Sequence, residues 1–372
     1  MFLDASGSAP LTNRTLEAFQ AGLADGWADP ARLHAEARRA RQLLDGAREA
    51  IAESLGARPE HTHFTPTFAI GLERVMAGIY AARRGRDRVV ATAIERDATL
   101  HSADYVSGGG LTLVEVDGAG HVVLERLREA LDVPDVALAA VQHGNHEIGT
   151  VQRLGDVAEV TTAAGVPLVV DATASIGHGE APEAWDALVA NPADWGGPAG
   201  VGVVALRPRT RWLPVWPEGG DWAPGGVSVP AALAAAVALE ERREHLDQTG
   251  PRLHALIERV RLEADSWPGV TVVGDPDYRL PHIATLSCLY VDGEALLTRL
   301  DRHGIAVGSG SACTTSSLEP SRVLEKIGAR GHGNVRLGLH PGVSDDDVTR
   351  LLEVLPRVIG DLRAEAGAPA LS

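Results

Sequence analysis

The sequence predicts an α/β fold, with a large, mostly parallel sheet covered by helices and a smaller α+β part after it. Short apolar runs alternate with helical spacing through the first two-thirds of the chain. Strands that are apolar along their length belong to sheets covered on both faces. The organisation then changes after a long alanine-rich stretch at 230–246. The length of 372 residues suits two domains. We place a large domain at 15–250 and a small one at 1–14 plus 251–372.

Residues 30–55 have amphipathic helical spacing, with Leu33, Ala37, Ala40, Leu44, Ala47 and Ile51 near one face and Gly56 ending it. A strand at 63–65 and a helix at 71–82 follow. Apolar runs at 88–92, 111–116, 136–142 and 167–171 read as strands, the last two separated by a helix. Ligands in such sheets sit beyond the carboxyl ends of the strands, so loops 143–149 and 171–177 belong to the working edge. A helix at 251–266, strands at 270–273 and 282–291, a helix at 294–303 and a Gly/Ser loop at 308–311 complete the small domain.

The formal net charge is −16, from 34 basic and 50 acidic residues, which argues against nucleic acid or an anionic membrane as partner. Two cysteines, Cys288 and Cys313, make no disulfide framework. No secretory signal opens the chain, and the longest apolar run, 229–239, is too short for a bilayer and contains Pro230. These features predict a cytoplasmic protein. His143 and His146 lack a further ligand set, so no metal is expected. Gly108-Gly109-Gly110 reads as a turn, and Asp345-Asp346-Asp347 as helix-start residues. The only lysine is Lys326, so chemistry needing an amine side chain must use it or none.

The strongest local signal is 308–321, Gly-Ser-Gly-Ser-Ala-Cys-Thr-Thr-Ser-Ser-Leu-Glu-Pro-Ser. A cysteine among small residues, before a helix start, is accessible and biased toward thiolate. Its alternative is a small buried hydrophobe, the reading preferred for Cys288 in its strand pattern. The 308–321 stretch closely resembles the active-site loop of the cysteine desulfurases that carry their cysteine on a long loop. Further stretches resemble the same family in order: 2–6 (Phe-Leu-Asp-Ala-Ser), 145–149 (Asn-His-Glu-Ile-Gly), 170–173 (Val-Asp-Ala-Thr) and 197–202 (Gly-Pro-Ala-Gly-Val-Gly). The resemblance implies the pyridoxal-phosphate (PLP) aminotransferase class V fold, usually a homodimer. It implies PLP held as a Schiff base on lysine, an aspartate on the pyridine nitrogen, and a cysteine that takes sulfur as persulfide.

Carried over residue by residue, the resemblance makes Cys313 the persulfide cysteine, Asp171 the pyridine partner and Arg336 the residue for the substrate carboxylate. Asn145 keeps a cofactor-site position, and Ser228 stands for a phosphate-binding threonine given to the neighbouring subunit. Asp171 as a turn cap and Arg336 as a surface ion pair are the plain alternatives. Other family positions are changed. The Schiff-base lysine falls on Asp194, the ring-stacking histidine on Arg96, the ring-oxygen glutamine on Ala174, and the phosphate-cradle Gly-Ala-Thr on Thr67-Phe68-Ala69. From these changes we expect no covalently held PLP, and noncovalent PLP at most. Some of Trp195, Trp212, Trp216 and Trp222, four of the seven tryptophans, are expected to fill part of a vacated pocket with Phe68, ordinary packing or a dimer surface being the plain alternative.

Three functions follow. The first is persulfide acceptance or transfer through Cys313, with a sulfur donor or acceptor protein as partner and without conventional PLP chemistry. The second is a non-catalytic subunit partnering an active enzyme. The third is a PLP enzyme with noncovalent cofactor.

Overall fold

The computed structural model describes residues 1–215, 222–223, 225–310, 321–329, 333–369 and 371. Its larger sheet has seven strands: β1 (Thr62–Thr65), β2 (Arg88–Thr92), β3 (Leu111–Val114), β4 (Val136–Gln142), β5 (Leu168–Asp171), β6 (Ala187–Ala190) and β7 (Gly202–Leu206). The order is β1-β7-β6-β5-β4-β2-β3. From β3 through β6 the pairs are parallel, while β7 runs antiparallel to both β6 and β1. The expected mostly parallel α/β sheet is therefore present.

Successive strand residues alternate between two apolar clusters, as period-two geometry requires. Val90, Val141 and Val170 face one cluster, closed by α2 (Ala35–Ser54), α6 (Leu154–Ala163) and α7 (Val229–Glu244). Val89, Ala91, Ala140 and Val169 face the other, closed by α3 (Phe68–Ala82) and α4 (Asp97–Ser107). Both faces are covered, so every residue of β4 is buried.

Helix starts follow local capping. Thr67 Oγ1 accepts from Ile70 N at the start of α3, and Gly108, in the left-handed region, ends α4. The helix α2 begins at Ala35, capped by the His34 side chain, so Leu33 lies outside it and is 83% exposed. The expected apolar face therefore loses Leu33. Its other members are buried.

Trp212 lies across α3, its indole nitrogen donating to Arg74 O at 3.1 Å over Gly78. A Cβ at Gly78 would stand 1.9 Å from Trp212 Nε1. Gly78→Ala is expected to cost about 1–3 kcal/mol, as overpacked sites do. Denaturant unfolding, with tryptophan fluorescence reporting the displaced indole, checks this.

A second, antiparallel sheet has the order β10 (Asn334–Gly338), β9 (Ile283–Cys288), β8 (Val270–Val273). It shares an apolar cluster with α8 (Leu246–Asp265), α9 (Gly293–Arg302) and α11 (Asp345–Glu365). Leu3 is buried in this cluster, and Phe2 and Asp4 bridge to Ala306 and Gly338. The chain start thus packs on the C-terminal sheet. Ser344 and Asp347 form a capping box at the start of α11. Among the described residues, no helix is long and apolar enough to cross a membrane.

Candidate active site

The loops after β2, β4 and β5 leave the same edge of the larger sheet, because those strands are parallel neighbours. Asp171 is the last residue of β5 and is buried. Its Oδ1 accepts from Thr173 N at 2.9 Å, while Oδ2 has no hydrogen bond. Arg96, the residue before α4, reaches across the edge: its Nε is 3.4 Å from Asp171 Oδ2 and its Nη2 is 3.6 Å from Asp194 Oδ1. That Nη2 is also buried without a hydrogen bond.

Asp194 sits in a tight 3-10 turn, Pro192–Trp195, initiated by Asn191 and ended by left-handed Gly196. Asn191 Nδ2 donates to its Oδ2 at 3.1 Å. Burial raises the Asp194 carboxyl to about 7, with Arg96 opposing and the Asp171 charge adding to the rise. The turn after Asp171 reaches Trp195 closely. A Cβ at Gly177, whose φ is +81°, would lie 2.6 Å from Trp195 Cβ, so only glycine fits.

Arg336 lies on β10 and is 6% exposed, which removes the surface ion-pair alternative. Its Nη2 donates to Asp4 Oδ1 at 3.2 Å, and its Nε is buried and unbonded. Its charge is felt at Asp194, as is that of Arg96. The fold thus brings Asp171, Asp194 and Arg96 within ion-pair reach, with Arg336 near enough for its charge to act on Asp194.

Asn145 is buried in the loop after β4 and spends its side chain on that loop. It accepts from Glu147 N and Ile148 N and donates to Ile94 O and Gln142 Oε1. Ser228 accepts from Ala231 N as the cap of α7. Ala174 is buried against Leu280 and Ile283. Ala69 is exposed at the start of α3. His143, held near 4 by burial, contacts Ser175 Oγ at 2.8 Å.

Cys313 lies outside the described residues, as does Trp216. The chain on either side of 311–320 is well fixed. Gly310 N donates to Asn334 Oδ1 at 2.8 Å, and Ser321 Oγ donates to Glu147 Oε2 at 2.5 Å. A Cβ at Gly310 would meet Glu147 Oε2 and Ser321 Cβ, so the two flanks converge over Glu147. Cys288 is buried in β9, and its thiol is pushed up to about 12. It is core, as the strand pattern suggests.

Of the three described tryptophans expected at the vacated pocket, Trp212 and Trp222 keep company with Phe68 and Trp195 does not. Trp195 is fully buried in the first cluster and donates to Ala235 O at 3.0 Å. Trp212 and Trp222 stack together at 4.5 Å, with His63 on the far side of Trp222, and pack with Phe68 against α3. Nearness in sequence does not carry over, because β7 and the strand-to-helix connection send the indoles to opposite faces of the sheet.

Sequence reasoning missed Glu95 and Arg322. Glu95 is fully buried, accepts from Thr92 Oγ1 and Gln142 N, and is raised by burial to about 8. Arg322, just after the cysteine stretch, donates to the carbonyls of Ala93 and Glu95 and to Asp97 Oδ1. It ties the base of that stretch to the loop carrying Arg96.

Comparison with known proteins places this geometry in a family. The aminotransferase class-V family model matches residues 1–351. A Mycobacterium tuberculosis protein described as an IscS-like cysteine desulfurase is 33% identical, covering 99% of this chain and 98% of that one. The Archaeoglobus fulgidus cysteine desulfurase IscS 1 is 31% identical, covering 98% of each. A solved NifS-like protein shares the fold with a TM-score of 0.89 at 23% identity, covering 97% of this chain and all of that one. These matches overturn the expectation of no covalent PLP and noncovalent PLP at most. The relatives are described as cysteine desulfurases of the class-V aminotransferase family, and kinship along the whole length favours a PLP-binding site. From a family match over residues 1–351 and relatives aligned end to end, the chain belongs to the class-V aminotransferases as a member of the cysteine desulfurase family.

Proposed function

We propose that this chain handles sulfur at a PLP site of the cysteine desulfurase type, with Cys313 as the residue that carries the sulfur. The observation that carries the reading is the pair Asp171 Oδ2 and Arg96 Nη2, each buried with an ionic neighbour, at 3.4 and 3.6 Å, but with no hydrogen bond. Buried charged groups without hydrogen bonds are costly, and a polar planar group between them would satisfy both. Asp171 would receive the pyridine N–H of PLP, and the planar guanidinium of Arg96 suits the face or oxygen substituents of the ring. PLP supplies an electron sink for bonds of an amino-acid substrate. Arg336 would bind a substrate carboxylate through its free Nε, with Asp4 holding its Nη2. We read the assembly as a homodimer that delivers sulfur to an acceptor protein.

Proton handling at this site falls to Asp194. It occupies the position that the family resemblance gives to lysine, and the chain's one lysine, Lys326, is exposed at the end of α10 (Arg322–Lys326). A carboxyl near 7 can hold or give up a proton at physiological pH. A persulfide donor R–S–SH is a second source of sulfur, and Asp194 in the lysine position favours it. The Cys313 thiolate attacks the terminal sulfur, the donor S–S bond breaks, and RS⁻ leaves with the electron pair.

The test is mass spectrometry of residue 313 after incubation with PLP and cysteine, or with cysteine persulfide. The expected result is a gain of one sulfur atom at Cys313, lost in Cys313→Ser. No sulfur at 313 from either source, with full sulfur delivery by Cys313→Ser, would overturn the proposal.

A further inference from the structure

A cavity of about 340 Å³ lies behind the Asp194 turn, between α1 (Asn13–Asp25), α7, the start of α8 and the segment around His340. Its walls include Trp195, Leu246, His178, Glu241 and Arg242. That volume suits a small organic molecule.

Arg242 is the unusual member. It is only partly exposed, and its Nε donates to Trp195 O at 2.9 Å. Among the described residues, no carboxylate forms an ion pair with it, and its remaining guanidinium nitrogens have no hydrogen bond. The carboxylate whose field reaches it is Glu241, but Glu241 Oε2 accepts from Thr12 Oγ1 at 2.5 Å. His178, His282 and His340 all feel its positive charge, and burial lowers the proton affinity of each. None offers a countercharge. His178 and His282 stack at 3.5 Å, and His282 Nδ1 is buried without a partner. A guanidinium drawn out of water is normally compensated by an anion. Here the wall supplies the cation and apolar surface, while the carboxylate in that wall, Glu241, is engaged by Thr12 Oγ1 and forms no ion pair with Arg242.

We propose that this cavity binds a small organic anion, its carboxylate on the free guanidinium nitrogens of Arg242 and its hydrocarbon body against Trp195 and Leu246. The site is separate from the space around Asp171, but it touches the same turn. Arg242 holds the carbonyl of Trp195, and His178 Nε2 donates to the carbonyl of Asp194 at 3.0 Å. An occupant would therefore touch the residues that hold the Asp194 turn.

The test compares 3-phenylpropionate with its neutral amide, 3-phenylpropionamide, by calorimetric titration of the full chain. The acid is expected to bind at least tenfold more tightly than the amide. Arg242→Gln should erase that difference, and Thr249→Trp, which fills the cavity, should abolish binding of both. Arg336→Gln should leave acid binding unchanged, which separates this cavity from the proposed substrate arm. Equal affinity for acid and amide, binding of neither, or loss of acid binding in Arg336→Gln would each overturn the proposal. If Arg242→Gln does not fold, the acid–amide comparison on the unaltered protein and on Arg336→Gln still decides it. Sulfur loading of Cys313 is read independently of all these measurements.

Discussion

Replacing Arg96 with methionine is expected to cost about 3–5 kcal/mol of stability at pH 8, the penalty for stripping a buried ion pair of one partner. Arg96 is the cation between two buried carboxyls, at 3.4 Å from Asp171 and 3.6 Å from Asp194. Methionine keeps much of the volume but none of the charge. Asp194 can escape by taking up a proton, because its carboxyl already stands near 7. Asp171 then bears most of the cost. Below pH 7 Asp194 carries its proton, so its share of the loss should shrink toward pH 5. The double variant Arg96→Met/Asp171→Asn should recover most of the deficit, giving a coupling of at least about 2 kcal/mol in a double-mutant cycle. Guanidinium unfolding midpoints at pH 5 and pH 8 measure all of this. A loss below about 1 kcal/mol at pH 8 would mean that Arg96 does not compensate these carboxylates.

Parts of this site are legible in the amino-acid sequence alone, for specific reasons. Asp171 ends an apolar run, and in a parallel sheet the carboxyl end of a strand is where ligands gather. β2, β4 and β5 stand out as continuous apolar segments. β6 and β7 do not. β7 pairs antiparallel in a sheet whose other strands are mostly parallel. Arg96 is visible as a changed family position, but its role as a bridge between carboxyls depends on the loops after β2 and β5 and the Asp194 turn meeting in space. Glu95 carries no signal, because glutamate is almost always solvated and nothing local marks a buried one. The tryptophans mislead for the opposite reason. They are neighbours in sequence, yet the sheet separates Trp195 from Trp212 and Trp222. The unpaired charge of Arg242 is equally hidden, since an arginine at the end of an alanine-rich helix reads as a solvated terminus.

The Asp194→Asn variant should be more stable than the parent above pH 7, and the gain should vanish in acid. The sign follows from proton binding. Unfolded Asp194 loses its proton near 3.8, whereas the folded carboxyl keeps it to about 7. Between those values the folded state binds the extra proton, so its stability falls as pH rises. The contribution is fully present below the unfolded value and is lost once pH passes the folded one. At about 1.4 kcal/mol per pH unit, the full span amounts to roughly 4 kcal/mol. Asparagine has no proton to lose, yet its amide can still accept from Asn191 Nδ2 and stay near Arg96. The stability gap between variant and parent should therefore widen steeply from pH 4 to 8, on top of whatever slope Glu95 and the buried histidines impose on both proteins alike. Parallel slopes for parent and Asp194→Asn would show that Asp194 is already ionised at neutral pH. It would then lack the proton that our reading assigns to it.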